Sequence, residues 1–391
     1  MRTRVLKWGK CRRARVGMTI VAAGIAVLTL SFLAVGCATE GSEGGATGVS
    51  STTTAGKPAA APVKLRVGYL PALCQSMVVL KPLQLIEKKL GVPVEWRQYS
   101  AGPALVQAFA QGQLDVGFLG MAPTLIGVDK GIPIQAVAST HTEGADFIGR
   151  ALPEYRGLDE LGDVKAVLEQ FRGKVIGVPA KGSIQDAILR DVLRSAGLVP
   201  DKDVTVLNVQ AAPSLPGMLA NGDIDAMIVW PPFGTKAVME GSGKLLVDAH
   251  HLWPESPLTL VAVSQEMIDK YPEFVGALVA LHAQTSTFIM AYPDQAASVA
   301  AKFLDLPYDV IRRSLDDNPL YTAFPSTGFL AATDRLAASL KESGYVQHDL
   351  SSSDVFDLSF VSGLGLEGQG GVGEVPKDPE LYKYIMGVSP Q

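Results

Sequence analysis

Few side chains in this 391-residue sequence stand where they could hold a small ligand. Ser183 and Asp186 have the spacing of a capping box, which predicts that a helix begins at this point. Free backbone N–H groups at such a helix start favour an anion, and Lys181 would add positive charge there. The alternative is a well-capped helix that faces water.

Three more side chains could contact a ligand, and each also has a purely structural interpretation. Cys74 is either a ligand-facing thiol or a small buried residue, and His141 is either a ligand donor or an exposed hinge residue. Trp230 either covers a ligand or caps a sheet. The adjacent His250 and His251 are interpreted as surface or lobe-crossing residues. With three Cys and five His, the chain has no zinc-type spacing and no evident nucleophile–base pair.

An internal repeat supplies the elements that would position these residues. In each copy a short helix-like run ends at Gly, and an apolar run of strand length follows it and ends near Pro. The match continues upstream in both copies. Segment 94–99 matches 204–209, and segment 65–69 matches 174–178. The matched positions are Leu105, Ala110, Gly112 and Asp115 in the first copy, and Leu215, Ala220, Gly222 and Asp225 in the second.

The repeated strand–helix pattern predicts the fold class α/β. Each copy should form one lobe, a mostly parallel sheet flanked by helices, with ligands bound at the carboxyl ends of the strands. Lobe 1 is predicted to comprise 64–139 and 257–362, and lobe 2 to comprise 140–256. The polar segment 139–144 is predicted to make the first of two crossings, and 363–391 to be a loosely ordered tail.

The N-terminal segment predicts export. Residues 1–36 have a basic start and an apolar run, which is typical of a signal peptide. Cys37 follows small residues as in bacterial lipoprotein signals, although Ala34 stands where such signals usually carry Leu. The alternative is an uncleaved signal anchor. Residues 37–62 are predicted to be a flexible linker. The export signal places the globular part outside the cytoplasm, and a lipid on Cys37 would anchor it to the cell membrane.

The charge balance disfavours one class of partner. The whole chain carries a formal charge of -5, and loss of the seven basic residues within 1–36 would change it to -12. Nucleic-acid binding depends on neutralising phosphates, so a chain this acidic is not expected to bind nucleic acid.

Several motifs together resemble the extracytoplasmic solute-binding proteins of ABC importers. They are segments 112–123, 131–133 and 182–186, together with Asp225 and the Trp230–Pro231 pair. The branch that they resemble binds nitrate, sulfonates, taurine and thiamine precursors. The resemblance spans about 64–360, and it implies a two-lobe periplasmic-binding-protein fold of type II with two crossovers.

The resemblance also implies a function without a cofactor. A monomer would capture a small solute between its lobes, an organic sulfonate or a taurine-like or nitrate-like compound, and deliver it to a membrane permease driven by an ATPase. Loop 72–76 departs from the pattern of the family, so the solute stays open. One alternative is an enzyme similar to pyrimidine-precursor synthases, although those use a Cys-rich motif and Cys74 stands alone here. Another alternative is a tethered sensor.

The resemblance, together with the positions of the strand ends, places the ligand contacts in the loops at 70–76, 99–102, 120–123, 139–142, 180–185 and 210–213. The predicted contact residues are Leu73, Cys74, Gln75, Ser76, Ser100, Gly120, Met121, Ala122, Thr140, His141, Lys181, Gly182, Ser183, Ile184, Gln185, Gln210 and Trp230.

Overall fold

A computed structural model describes residues 60–362 and Leu364. The predicted signal peptide and Cys37 lie outside the described residues. So do the predicted linker up to residue 59 and, apart from Leu364, the predicted tail.

Ten strands in the described part of the chain form two five-stranded sheets with equivalent strand orders, β2-β1-β3-β10-β4 and β7-β6-β8-β5-β9. In each sheet the first three strands are parallel, and an antiparallel strand follows them. The prediction of a two-lobe α/β fold with mostly parallel sheets is confirmed. The strands are β1 (Leu65–Tyr69), β2 (Val94–Gln98), β3 (Val116–Gly120), β4 (Ile134–Thr142), β5 (Asp146–Arg150), β6 (Val175–Val178), β7 (Thr205–Asn208), β8 (Ala226–Val229), β9 (Gly243–Val247) and β10 (Pro257–Ser264).

Helices flank both sheets, and the elements from Gln265 to Ser362 are all helices. The helices are α1 (Met77–Leu80), α2 (Leu85–Leu90), α3 (Gly102–Ala110), α4 (Met121–Asp129), α5 (Leu158–Leu161), α6 (Val164–Glu169), α7 (Ile184–Ser195), α8 (Leu215–Asn221), α9 (Phe233–Met239), α10 (Ala249–Leu252), α11 (Gln265–Lys270), α12 (Pro272–Ala291), α13 (Pro293–Leu304), α14 (Tyr308–Asp317), α15 (Thr327–Glu342), α16 (Ser352–Val355) and α17 (Ser359–Ser362).

The repeated aspartate has the same structural role in both lobes. Asp115 accepts the backbone N–H of Arg66 at 2.7 Å, and Asp225 accepts the backbone N–H of Val175 at 3.0 Å. Each carboxylate thereby ties the strand that follows it to the first parallel strand of its own sheet. The aspartate that the two copies share therefore stabilises the fold, and it lies at the opposite end of its strand from the carboxyl end where a ligand would bind.

Proline does not end the third strand of the first copy, contrary to the sequence-based expectation. β3 passes directly into α4, and Pro123 lies in the first turn of that helix. This position tolerates proline because the first N–H groups of a helix have no acceptor within the helix.

The first crossing between the lobes is shorter than predicted. The segment 139–142 belongs to β4 and pairs with β10, so the chain crosses only at 143–145. The hydroxyl of Thr140 explains the difference, because it bonds to the Thr259 hydroxyl (2.6 Å) inside lobe 1 and does not face solvent. The chain returns through residues 248–256, which include α10.

Two C-terminal helices have distinct packing roles. An apolar stripe of α12 is buried against the first sheet, and it includes Phe274, Leu278 and Phe288. Among the described residues α12 alone is long and apolar enough to cross a membrane by length and composition, and its most apolar stretch is mostly buried in the core. α15 contacts both α4 and α7, so it connects the two lobes.

Candidate functional site

A small cavity lies where the carboxyl ends of β1, β3 and β8 face one another across the lobes. Its volume is about 10 Å³, close to the space that one water molecule needs. The lobes are in contact around it, since the Leu73 N–H donates to the Pro231 carbonyl at 2.9 Å. The lining residues are Leu70, Ala72, Cys74, Gly102, Gly120, Pro123, Ser183, Ile184, Gln185, Trp230 and Thr259.

Three helices of at least nine residues begin at this cavity. α3 begins at Gly102, α4 follows Gly120, and α7 follows Ser183; all three of these residues line the cavity. The N-caps of α3 and α4 carry no side-chain cap. The first N–H groups of a helix have no acceptor within it and carry partial positive charge. None of the described lining residues is charged, so these helix ends make the cavity favourable for an anion.

The start of α7 is held by a network that includes a residue from the far end of the chain. The Ser183 hydroxyl accepts the Asp186 N–H at 3.2 Å, as the predicted capping box requires. Asp186 departs from the box, because its carboxylate accepts the Gly182 N–H at 2.9 Å. The same carboxylate also accepts the Arg190 Nε–H (2.8 Å) and the Tyr345 hydroxyl (2.5 Å). These bonds fix the helix end and leave Asp186 saturated.

Two buried polar side chains in the cavity wall have unpaired hydrogen-bonding atoms. Gln185 is 1% exposed, and neither its amide nitrogen nor its amide oxygen has a partner. Trp230 is 4% exposed, and its indole N–H is also unpaired. Burying such groups without partners costs about 1–3 kcal/mol each. The cavity has room for about one water molecule, so the lobes must separate before a solute can enter and supply the partners of these atoms.

Cys74 is buried, as one interpretation predicts, and it also lines the cavity, where a ligand could reach its thiol. Burial raises the pKa of its thiol to about 12, against a weaker lowering effect from Thr259. At neutral pH the group is therefore a neutral thiol rather than a nucleophilic thiolate. No His, Asp or Glu is among the described lining residues, so no general base stands beside it.

Four of the predicted contacts lie behind the cavity wall. The Leu73 carbonyl accepts the Tyr321 hydroxyl, and Thr140 bonds to the Cys74 carbonyl at 3.2 Å. The Ser76 hydroxyl bonds to Nδ1 of a buried histidine at 2.7 Å. Gln75 is fully buried with both amide atoms unpaired, but it does not line the cavity. These side chains shape loop 70–76 from beneath and are not cavity-lining contacts.

The histidine behind this loop predicts acid sensitivity of the fold. Burial lowers the pKa of His282 to about 4, whereas an unfolded histidine titrates near ~6.5. As pH falls from about 6.5 to 4 only the unfolded chain takes up this proton, so stability is lost across that window, by up to about 3 kcal/mol. Urea unfolding at several pH values should show this loss. Burial of Asp146 raises its pKa to about 7 and acts in the opposite direction, so the His282→Gln variant is the required comparison. An equal acid loss in that variant would contradict the assignment.

His141 is neither the exposed hinge residue nor the cleft donor that the sequence suggested. It is 1% exposed, its Nε2–H donates to the Asn318 carbonyl at 3.1 Å, and its ring packs edge-on against Tyr321. Burial lowers its pKa. His141 lies beside a separate cavity of about 180 Å³ at the lobe crossings, which His250 also lines.

Six other predicted contacts lie outside the cavity lining. Lys181 is exposed with its ammonium 6.0 Å from the ring centroid of Tyr345, so it does not add charge to the cavity. Gly182 forms a turn with φ +75° next to it. The remaining four are Ser100 and Gln210, which are exposed, and Met121 and Ala122, which are buried in the core.

The structure thus brings together six of the predicted contact residues and adds five that were not named. Thr259 has the clearest sequence signal among the additions, because apolar residues surround its hydroxyl from Pro257 to Val263 of strand β10. The other four, Leu70, Ala72, Gly102 and Pro123, fall within the predicted loops. The six predicted residues that line the cavity are Cys74, Gly120, Ser183, Ile184, Gln185 and Trp230. Among residues 60–362, no group of three or more His, Cys, Asp or Glu side chains could hold a metal ion.

A sequence model of the NMT1-like family matches residues 58–305, well over half of the chain. The chain belongs to the NMT1-like family. Proteins similar to this chain confirm the predicted resemblance to the sulfonate, taurine and nitrate binders. One relative is a putative aliphatic sulfonates-binding protein of Escherichia coli K12, 27% identical over 303 residues that cover 75% of this chain and 88% of the relative.

A second relative of this NMT1-like protein is the taurine-binding periplasmic protein of the same strain. It is 28% identical over 212 residues, which cover 53% of this chain and 61% of the relative. Among solved structures, the alkanesulfonate-binding protein SsuA from Xanthomonas axonopodis pv. citri, bound to MOPS, matches with a TM-score of 0.65. Its identity is 23%, and the match covers 76% of this chain and 99% of that one, which establishes a common two-lobe fold.

Proposed function

We propose that this protein is the solute-binding component of an ABC importer. It captures a small solute with an acidic head, an organic sulfonate or a nitrate-like compound, between its lobes and delivers it to a membrane permease. The observation that carries this proposal is the acid-free cavity at three helix starts, in which Gln185 and Trp230 keep unpaired polar atoms. Relatives named as sulfonate-binding and taurine-binding proteins support a sulfonate head on the solute.

In this proposal the protein binds its solute without catalysing a reaction on it. The Cys74 thiol stays protonated at neutral pH because burial raises its pKa to about 12, and no described lining residue can act as its base. The relatives reported above are named as binding proteins, which agrees with this chemistry.

Location and partners complete the proposal. The protein works as a monomer outside the cytoplasm, anchored to the cell membrane by a lipid on Cys37, and a permease with its ATPase receives the solute. The predicted signal segment 1–36 supports the export step, and the name of the periplasmic taurine-binding relative is consistent with it. Mass spectrometry of the membrane-extracted protein tests the anchor, because acylation at Cys37 changes the mass of the N-terminal peptide.

Thermal unfolding of the purified protein tests the binding proposal. Methanesulfonate, ethanesulfonate and nitrate are compared with chloride at equal ionic strength. A solute at 100 times its dissociation constant adds about 2.7 kcal/mol to the free energy of unfolding, which raises the midpoint by several degrees. The same midpoint in all four salts would count against the proposal.

Trp230 should report binding directly. Its unpaired indole N–H lines the cavity, so a solute that bonds to it changes its fluorescence. We expect a saturable emission change on adding a bound sulfonate, and loss of that change in Trp230→Phe. Trp253→Phe is the matched control, because Trp253 is equally buried but does not line the cavity. A signal that survives in Trp230→Phe and vanishes in Trp253→Phe would place the solute elsewhere.

A further inference from the structure

The cavity offers no counter-charge to a cationic group on the solute. None of its described lining residues is acidic. Asp186 follows Gln185 directly, but its carboxylate already accepts bonds from Gly182, Arg190 and Tyr345. Its side chain is 0% exposed, so it is not available to a ligand.

The partial positive charges at the helix starts also repel a cationic group of the solute. Three helices direct their positive ends at the cavity, through Gly102, Gly120 and Ser183. An ammonium group buried here would lose its hydration, meet no carboxylate and lie near these partial positive charges. A solute that carries an ammonium group therefore loses much of the affinity that its acidic head provides.

The unpaired atoms of the wall instead suit a neutral group that both donates and accepts. The Gln185 amide has an unpaired oxygen acceptor beside its unpaired N–H donors, and Trp230 contributes one more donor. An acidic head can satisfy the donors but cannot donate to the Gln185 oxygen. A hydroxyl group does both, because its O–H donates to that oxygen while its own oxygen accepts an N–H.

We propose that the cleft selects sulfonates whose second polar group is a neutral hydroxyl and rejects those whose second polar group is an ammonium. This inference rests on the proposed function, and it names the specificity of the same site. Gln185 is the residue that determines the specificity.

Isothermal titration calorimetry with three two-carbon sulfonates at pH 7 tests the inference. Ethanesulfonate, 2-hydroxyethanesulfonate and 2-aminoethanesulfonate share the head and the chain length and differ in one group. We expect the hydroxyl compound to bind at least tenfold more tightly than the amino compound, with ethanesulfonate between them. Equal affinities, or tighter binding of the amino compound, would overturn the selectivity while leaving the proposed function intact. If none of the three binds, the proposed function fails for sulfonates, and that outcome is distinct from the other two.

A single variant should reverse the preference. Gln185→Glu keeps the shape of the side chain and supplies the missing carboxylate, so the amino compound should gain and the hydroxyl compound should lose about tenfold in affinity. Gln111→Glu adds the same charge at an exposed position and should leave the ranking unchanged. An unchanged ranking in a folded Gln185→Glu protein would overturn the role of Gln185. If that variant does not fold, the wild-type protein at a pH where the amine is neutral provides the test, because the gap between the two compounds should then close.

Discussion

Replacing Gln185 with leucine is expected to stabilise the solute-free protein and to weaken solute binding. The amide is 1% exposed with both polar atoms unpaired, so leucine removes a buried desolvation cost and keeps a similar volume. The free energy of unfolding should rise by about 1 kcal/mol or more. The hydroxyl of the proposed solute would lose its two hydrogen bonds to the amide, each worth about 0.5–1.5 kcal/mol, so affinity should fall about tenfold.

Two measurements on the same samples test the expected gain in stability and the expected loss of affinity. Urea unfolding without solute gives the change in stability, and calorimetric titration with a sulfonate gives the change in affinity. Gln284→Leu is the matched control: Gln284 is 3% exposed with an unpaired oxygen, but it lies in α12 and does not line the cavity. It should leave affinity unchanged. A Gln185→Leu protein that is less stable yet binds normally would show that Gln185 is structural and not a ligand contact.

Replacing Asp186 with alanine is expected to cause a large loss of stability. Its carboxylate is fully buried and holds the start of α7, the Arg190 guanidinium and the Tyr345 hydroxyl together. Removing it leaves Arg190, whose side chain is 12% exposed, with Asp201 as its remaining ion-pair partner among the described residues. Removing one partner of a buried ion pair costs about 3–5 kcal/mol of stability. Because Asp201 still pairs with Arg190, we expect a loss near the lower value.

The same substitution should also weaken binding, because the N–H groups at the start of α7 lose their fixed orientation. Urea unfolding and titration of Asp186→Ala are compared with Tyr345→Phe, which removes one hydrogen bond from the network and keeps the ion pair. The tyrosine variant should lose roughly half as much stability. A loss below about 1 kcal/mol in Asp186→Ala would contradict the proposed role of this network.

The parts of the fold that depend on local pattern could be predicted from the sequence. The repeat around Gly112–Asp115 and Gly222–Asp225 predicts two equivalent sheets, because strand length, helix ends and turn residues lie close together in the chain. The same repeat places the cavity at the strand ends, and the cap at Ser183 predicts the start of α7.

The side-chain directions could not be predicted, because partners distant in the chain set them. Lys181 lies beside Tyr345 and not in the cavity, and His141 is buried against Asn318 and Tyr321. Thr140 lies in a polar stretch that predicts a crossing, but its hydroxyl bonds to that of Thr259 inside lobe 1. The unpaired amide of Gln185 is visible only in three dimensions, since nothing in the sequence distinguishes it from Gln75, which lies behind the wall.

Calorimetric titration of 2-hydroxyethanesulfonate into the purified wild-type protein and into Gln185→Leu tests the central claim most directly. If the cavity between the sheets is the solute site, the wild type binds one molecule per chain, and the folded variant binds it at least tenfold more weakly. Equal affinity of the two proteins, or no heat from the wild type with this sulfonate, would contradict the account.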